Sequence, residues 1–203
     1  QRQMCIRDRY VIGSGEVAVI DPGPLDEKHI SALIAGLKGE TISQILITHT
    51  HQDHSPGAEP LKKITGAETF AYGPHGSGKQ LMGVDIQEGG DMQFRPDHLL
   101  EDGQEIRGKD WSVACVYTPG HASNHMAFAL NEGEILFSGD HVMGWSTSIV
   151  SPPDGDMASY MESLDKLKAR SDKVYWPTHG PSIEEPLQYV NALIEHRLEL
   201  SLI

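Results

Sequence analysis

The sequence predicts an α+β domain in which two sheets pack face to face and helices cover the outside. Three observations point there. Short apolar strands come in two batches, segments of helical period lie between and after them, and the length of 203 residues suffices for one well-filled core.

The elements follow in order. Glu16 to Ile20 alternates into an apolar strand that stops at Asp21-Pro22-Gly23-Pro24, a strong turn signal. Ile30, Leu33, Ile34 and Leu37 fall at helical spacing, and Gly39 ends the run. Ile42 to Ile47 is a short strand. Leu61 and Ile64 belong to a helix closed by Gly66, and Thr69 to Tyr72 is another strand. Gly73 to Gly90 is glycine-rich and aperiodic, so it predicts a long loop of the kind that often flanks an active site. Further strands are expected at Leu99 with Leu100, Val113 to Tyr117, Met126 to Leu130, Ile135 to Phe137 and Val174 to Trp176. Met157, Tyr160, Met161, Leu164 and Leu167 share a helical face, and a last helix spans roughly 184–200.

Composition narrows the class. Apolar residues make up 38% and charged residues 22%, and no run approaches the roughly 20 apolar residues of a membrane span, so a soluble protein is expected. The formal net charge of −13 disfavours broad binding of nucleic acid, which needs clustered Lys and Arg. Cys5 and Cys115 are too few and too far apart for a disulfide framework, Cys115 reads as a buried thiol, and a reducing cytoplasm fits both. Residues 1–9 have no apolar period and no signal-peptide layout. They resemble translated sequencing-adapter contamination, so they are set aside as non-native and the domain is taken as 10–203. The last helix stops abruptly, and both ends suggest a fragment.

The chemistry concentrates in His49-Thr50-His51-Gln52-Asp53-His54, directly after a strand. Alternation puts His49 and His51 on one side before the chain turns through Asp53 and His54. Imidazoles with a carboxylate suit zinc and its neighbours. Other donors follow apolar strands and adjoin a glycine: His121 in Thr118-Pro119-Gly120-His121, Asp140 in Ser138-Gly139-Asp140-His141 and His179 in Pro177-Thr178-His179-Gly180. There are too many for one closed structural site. Strand ends converging with His and Asp are what an open two-metal site requires.

These motifs, with Asp21, resemble the metallo-β-lactamase superfamily in order, over nearly everything from Tyr10 onward. Ser55-Pro56-Gly57, the run Thr118 to His125, Ser138 to His141 and Tyr160-Met161-x-Ser163-Leu164 resemble its β-lactamase-like protein 2 group. The resemblance implies a four-layer αββα sandwich lacking a first strand and a C-terminal extension. It implies that His49, His51 and His121 hold one metal, that Asp53, His54 and His179 hold the second, and that Asp140 bridges them. Two Zn2+ ions per chain are expected, with iron and manganese left open. A hydroxide shared by the metals would attack an ester, thioester or phosphodiester bond. Asp53 would orient the nucleophile or take its proton.

The other positions keep two readings. Asp21 is a turn carboxylate or a partner for a ligand imidazole. His125 and His141 lie beside ligands and are expected to support them or to pack rather than to bind metal, and His125 is also the best further candidate for a proton donor to the leaving group. His75 is a surface loop residue or a substrate contact, while His29, His98 and His196 are expected in solvent. Trp145-Ser146-Thr147-Ser148 lines the cleft or is an ordinary loop. The expected partner is a small molecule or short oligonucleotide, with no membrane and no inference about oligomers. A glyoxalase II-like thioesterase and a single-stranded endoribonuclease are the alternatives within the fold, although only Arg197 stands where a basic glutathione patch would. An iron-dependent persulfide dioxygenase and a non-catalytic metal-binding domain are the readings from other classes.

Overall fold

The computed structural model describes residues 4–5, 9–79 and 89–200, with residues 4, 5 and 200 described by backbone alone. In chain order the elements are β1 (Met4–Cys5), β2 (Tyr10–Ser14), β3 (Glu16–Ile20), α1 (Glu27–Gly36), β4 (Thr41–Leu46), α2 (Ala58–Thr65), β5 (Glu68–Ala71), β6 (His98–Leu99), β7 (Glu105–Arg107), β8 (Ser112–Tyr117), β9 (Met126–Leu130), β10 (Ile135–Gly139), α3 (Met157–Lys168), β11 (Val174–Pro177) and α4 (Pro186–Leu200). Two sheets result, in strand order β1-β2-β3-β4-β5-β6 and β11-β10-β9-β8-β7.

Alternation along the strands sorts side chains into separate apolar layers. In β3, Ala18 and Ile20 join a cluster with Phe128 and Leu130 of β9 and Phe137 of β10, which is the seam between the sheets. The neighbouring Val17 and Val19 point the other way, to Leu33 of α1 and Leu61 of α2. In the second sheet, Ala127, Ala129 and Leu136 pack against Tyr160 and Leu164 of α3 and Val190 of α4. Three apolar layers separate four layers of structure, so the expected αββα sandwich is present. Strands covered on both faces read as continuous apolar runs, which is why Val17 to Ile20 and Met126 to Leu130 carry so few polar residues. Asp26 and Asp156 start α1 and α3 by accepting from backbone N–H groups of the first turn.

Two strands lie where the sequence gives little signal. Tyr10–Ser14 pairs antiparallel with β3 across a tight Gly15 turn. Glu105–Arg107 is three residues long, with both ends exposed, too short to show a period. Met4–Cys5, within the segment set aside from the domain, pairs antiparallel with Tyr10 and Val11. Arg9 is buried and donates to the Asp53 carbonyl. His29 is not in solvent as expected. It is half-buried, because its Nε2 donates to Pro22 O at 2.9 Å in the turn after β3. Cys115 is buried as expected, and burial with the Asp102 charge pushes its thiol up to about 12. Half of the glycine-rich stretch, residues 80–88, lies outside the described residues. Among the described residues, no helix is long and apolar enough to cross a membrane.

Candidate metal centre

Strand direction gathers the donors. β3 and β4 run parallel, so Asp21 and the segment 47–54 emerge at one edge of the first sheet. β8 and β10 both run antiparallel to β9, and β11 runs parallel to β10, so His121, Asp140 and His179 leave the second sheet at one edge. Gly120, before His121, has φ +138 and lies against the Tyr160 backbone, where an added Cβ would sit 2.3 Å from Tyr160 Cα. Only glycine allows the turn to approach α3 that closely.

All seven candidate ligands come together, in two groups. The first is His49, His51 and His121. His49 Nε2 lies 2.9 Å from His51 Nδ1, and His121 Nε2 lies 3.2 and 3.0 Å from those two atoms. Burial holds His49 well below the usual imidazole range, with His54 and His51 adding to it. Burial, then His121 and His54, lower His51 to about 3. Three neutral imidazoles therefore turn lone pairs toward one point. Nitrogens about 2.0–2.1 Å from a tetrahedral ion lie about 3.3 Å from one another, so this spacing fits a divalent cation.

The second group is Asp53, His54, Asp140 and His179. His179 Nε2 lies 3.0 Å from Asp53 Oδ2 and 3.4 Å from Asp140 Oδ2. His54 Nε2 stands 3.3 Å from the same two oxygens. Asp140 Oδ2 is also 3.8 Å from His121 Nε2, which places this carboxylate against both groups. Its Oδ1 is buried without a hydrogen-bond partner among the described residues. A buried orphan oxygen costs about 1–3 kcal/mol, and an ion at the centre would remove that cost. Burial opposes the charge on Asp140 and Asp53, yet the facing imidazoles hold both carboxyls below the usual range. Hydrogen bonds to Asp140 and Asp53 raise His179 to about 9. His54 is raised against the effect of burial, by Asp140 and Asp21.

Outer partners decide which nitrogen of each ring faces inward. Thr48 Oγ1 donates to Asp21 Oδ2 at 2.6 Å and so accepts from His49 Nδ1 at 3.0 Å, leaving His49 Nε2 free. His54 Nδ1 donates to Asp21 Oδ2 at 2.9 Å, and His121 Nδ1 donates to Ile149 O at 2.6 Å. Asp21 thus supports a ligand imidazole while also accepting Thr48 N–H at 2.7 Å.

His125 takes the supporting place expected for it rather than that of a proton donor. It is completely buried, its Nδ1 bonds Thr118 Oγ1 at 2.8 Å, and its Nε2 accepts the Asp140 N–H at 3.2 Å. With both nitrogens committed to the scaffold, it holds the Asp140 turn and presents no proton to a leaving group. His141 packs on Tyr160, ring centroids 4.5 Å apart. His75 stands beside the centre, 6.5 Å ring to ring from His51. Thr50 Oγ1 donates to its Nδ1 at 2.9 Å while accepting Asn124 Nδ2 at 2.8 Å. Asn124 also reaches the Gly73 carbonyl, so it ties the glycine-rich segment to the histidine run. His98 and His196 are on the surface. Trp145 is exposed and stacks on His179 with centroids 6.2 Å apart. Thr48 escaped the sequence reading, and Thr118 and Asn124 stood in a quoted motif without a role. Their signal was a hydroxyl or amide immediately beside a ligand motif.

A family model for the metallo-beta-lactamase superfamily matches residues 6–179. The chain is 33% identical over 196 residues to the beta-lactamase-like protein 2 homolog of Drosophila melanogaster, covering 93% of this chain and 63% of that one. It is 32% identical over 204 residues to the atrochrysone carboxyl ACP thioesterase of Aspergillus fumigatus, covering 97% of this chain and 58% of that one. The chain therefore spans less than two thirds of the length of either. Among solved structures it resembles TTHA1623 in a di-iron-bound form, with TM-score 0.70 and 26% identity, covering 89% of this chain and 90% of that one.

Proposed function

The chain belongs to the metallo-beta-lactamase superfamily, and from that premise we propose that it is a two-metal hydrolase. His49, His51 and His121 would hold one ion, Asp53, His54 and His179 the other, and Asp140 would lie between them. The position of Asp140 Oδ2, within 3.8 Å of donors from both groups, carries this reading. Zinc is the first candidate, and the di-iron form of a similar protein makes iron the second, because imidazole suits both.

Divalent ions there would supply a water of lowered pKa and polarise the scissile carbonyl or phosphoryl oxygen. The chain's own groups do the rest. Asp21, Thr48 and the Ile149 carbonyl orient three imidazoles, so little reorganisation is needed when charge develops. Asp53 keeps half its side chain exposed, and it is the carboxylate placed to orient an attacking water and take its proton. Trp145, stacked on His179, offers an apolar plane to the substrate beside the centre.

The substrate class is an ester or thioester first, supported by the thioesterase name of a relative matched over 97% of this chain. A phosphodiester is second, and the net charge of −13 weighs against long nucleic acid. The test is a panel of thioesters, simple esters, phosphodiesters, single-stranded RNA and a β-lactam, with and without chelator. Chelator-sensitive turnover that falls in Asp140→Ala is expected. A folded protein that binds no metal after reconstitution contradicts the proposal. Metal analysis of protein purified without added metal separates zinc from iron; zinc excludes the persulfide dioxygenase reading, whereas iron leaves the substrate panel to decide.

A further inference from the structure

The three donors from the second half of the chain sit on three loops that are far apart in sequence. One segment, residues 143–150, touches all of them. At its start, Gly144 N–H donates to His179 O at 2.8 Å. In its middle, buried Ser148 donates through Oγ to Asp140 O at 2.6 Å. One residue later, Ile149 O accepts from His121 Nδ1 at 2.6 Å. Its contact with the His179 turn is also steric. Gly180 has φ +97, and an added Cβ there would sit 2.8 Å from Gly144 backbone.

The segment has no regular secondary structure of its own, so something must fix its path. Two pegs come from α4. Tyr189 OH donates to Met143 O at 2.8 Å, and Arg197 Nη2 donates to Ser148 O. The pegs are eight residues apart, about 12 Å along a helix, so they hold the segment at two separated points. Arg197 is itself oriented, with its guanidinium carbon 5.3 Å from the centre of the Tyr160 ring on α3. The Ser148 peptide is therefore gripped from both sides, by Arg197 on its carbonyl and by the hydroxyl bond to Asp140.

We infer that residues 143–150 form a strap that sets the geometry of His121, Asp140 and His179 together, and that Arg197 and Tyr189 are positioning residues of the metal centre. The inference rests on the two-metal reading above. It gives α4 a task beyond covering the second sheet, and it assigns Arg197 a role other than substrate binding. Loss of a group that orients a ligand costs about 10–100-fold in metal affinity. Arg197 acts one bond further out, so about 10-fold is expected for Arg197→Met.

The experiment is competition of the full metal-free chain with a chromophoric chelator for Zn2+, paired with visible spectra of the Co2+-loaded protein. Parent, Arg197→Met, Arg197→Lys, Tyr189→Phe and Ser148→Ala are compared. Arg197→Met and Ser148→Ala should bind Zn2+ about 10-fold more weakly and shift the Co2+ bands. Arg197→Lys should recover most of the affinity, because an ammonium still donates to Ser148 O, and Tyr189→Phe should show a smaller loss. Unchanged affinity and spectra across all variants would overturn the inference. So would losses that simply track thermal stability, with Arg197→Lys no better than Arg197→Met. A parent chain that binds no metal instead overturns the two-metal reading itself, before any variant is compared.

Discussion

The two halves of the centre are built differently. His49, His51, Asp53 and His54 fall within one run of six residues that follows β4, whereas His121, Asp140 and His179 come from separate loops after β8, β10 and β11. A contiguous run needs one support at the right place. Asp21 supplies it, bonding the Thr48 N–H, the Thr48 hydroxyl and the His54 ring. Dispersed donors need something that reaches all three loops, and residues 143–150 do so. The difference teaches that the first half is organised by local backbone geometry. The second half is organised by long-range packing through α4.

The largest effect should come from the dispersed donor that lies against both metal groups. Asp140→Ala should lower turnover by about 10³-fold, equivalent to about 4 kcal/mol. Metal content should fall from about two ions to about one per chain, read by elemental analysis after dialysis. Two tightly held ions in the variant would break the comparison, because the dispersed half would not then supply the contact shared by both metal groups.

Next is the support of the contiguous half. Asp21→Asn removes a carboxylate that accepts three bonds in a buried place. It should weaken binding about 10–100-fold at the group held by His54, with a smaller loss at the group of His49, which Asp21 reaches through Thr48, and destabilise the chain by about 1–3 kcal/mol. Calorimetric metal titration and thermal unfolding check this, and unchanged metal affinity would mean that the contiguous half does not depend on Asp21. On the dispersed side, Gly180→Ala forces a side chain into the Gly144 backbone at a left-handed φ, at a cost of about 1–3 kcal/mol. It should disturb the His179 ring most and, through Gly144 and residues 143–150, the His121 ring, while sparing His49 and His51, as resolved by imidazole NMR of the metal-loaded chain.

The smallest effect is a control outside both halves. Asp97 accepts from Thr69 N–H and Thr69 Oγ1 and pairs with Lys62, and these partners lower its carboxyl to about 2. A carboxyl lowered on folding contributes stability above its unfolded value of about 3.9. That contribution is lost as pH falls through about 2. Asp97→Asn should lower the melting temperature slightly at pH 7, with the difference from parent vanishing toward pH 2. Metal affinity should not change, and a change would mean that general stability alone governs the centre.

Much of this was legible in the sequence. The run from His49 to His54 showed itself because ligand types recur at strand alternation and then at a turn. His121, Asp140 and His179 showed themselves because each follows an apolar strand beside a glycine. His125 stayed open between support and proton donation because adjacency to a motif says nothing about which way a ring faces, and its nitrogens are spent on Thr118 and Asp140. Arg9 was set aside with its neighbours, yet it reaches the Asp53 carbonyl. Ser148 and Ile149 act partly through main-chain carbonyls, which every residue possesses, so no residue type marks them.

The sequence by itself determined the layers and the donor chemistry. Apolar period fixes which faces must be covered, and side-chain type fixes what can ligate a cation. Only the tertiary structure decided which nitrogen of each imidazole faces inward, that Asp140 lies against both groups, and that α4 holds the loop supporting three of the donors. The reason is physical. Hydrogen bonds and ligand contacts depend on distance and direction over a few tenths of an ångström, and those are set by how separate strands end beside one another.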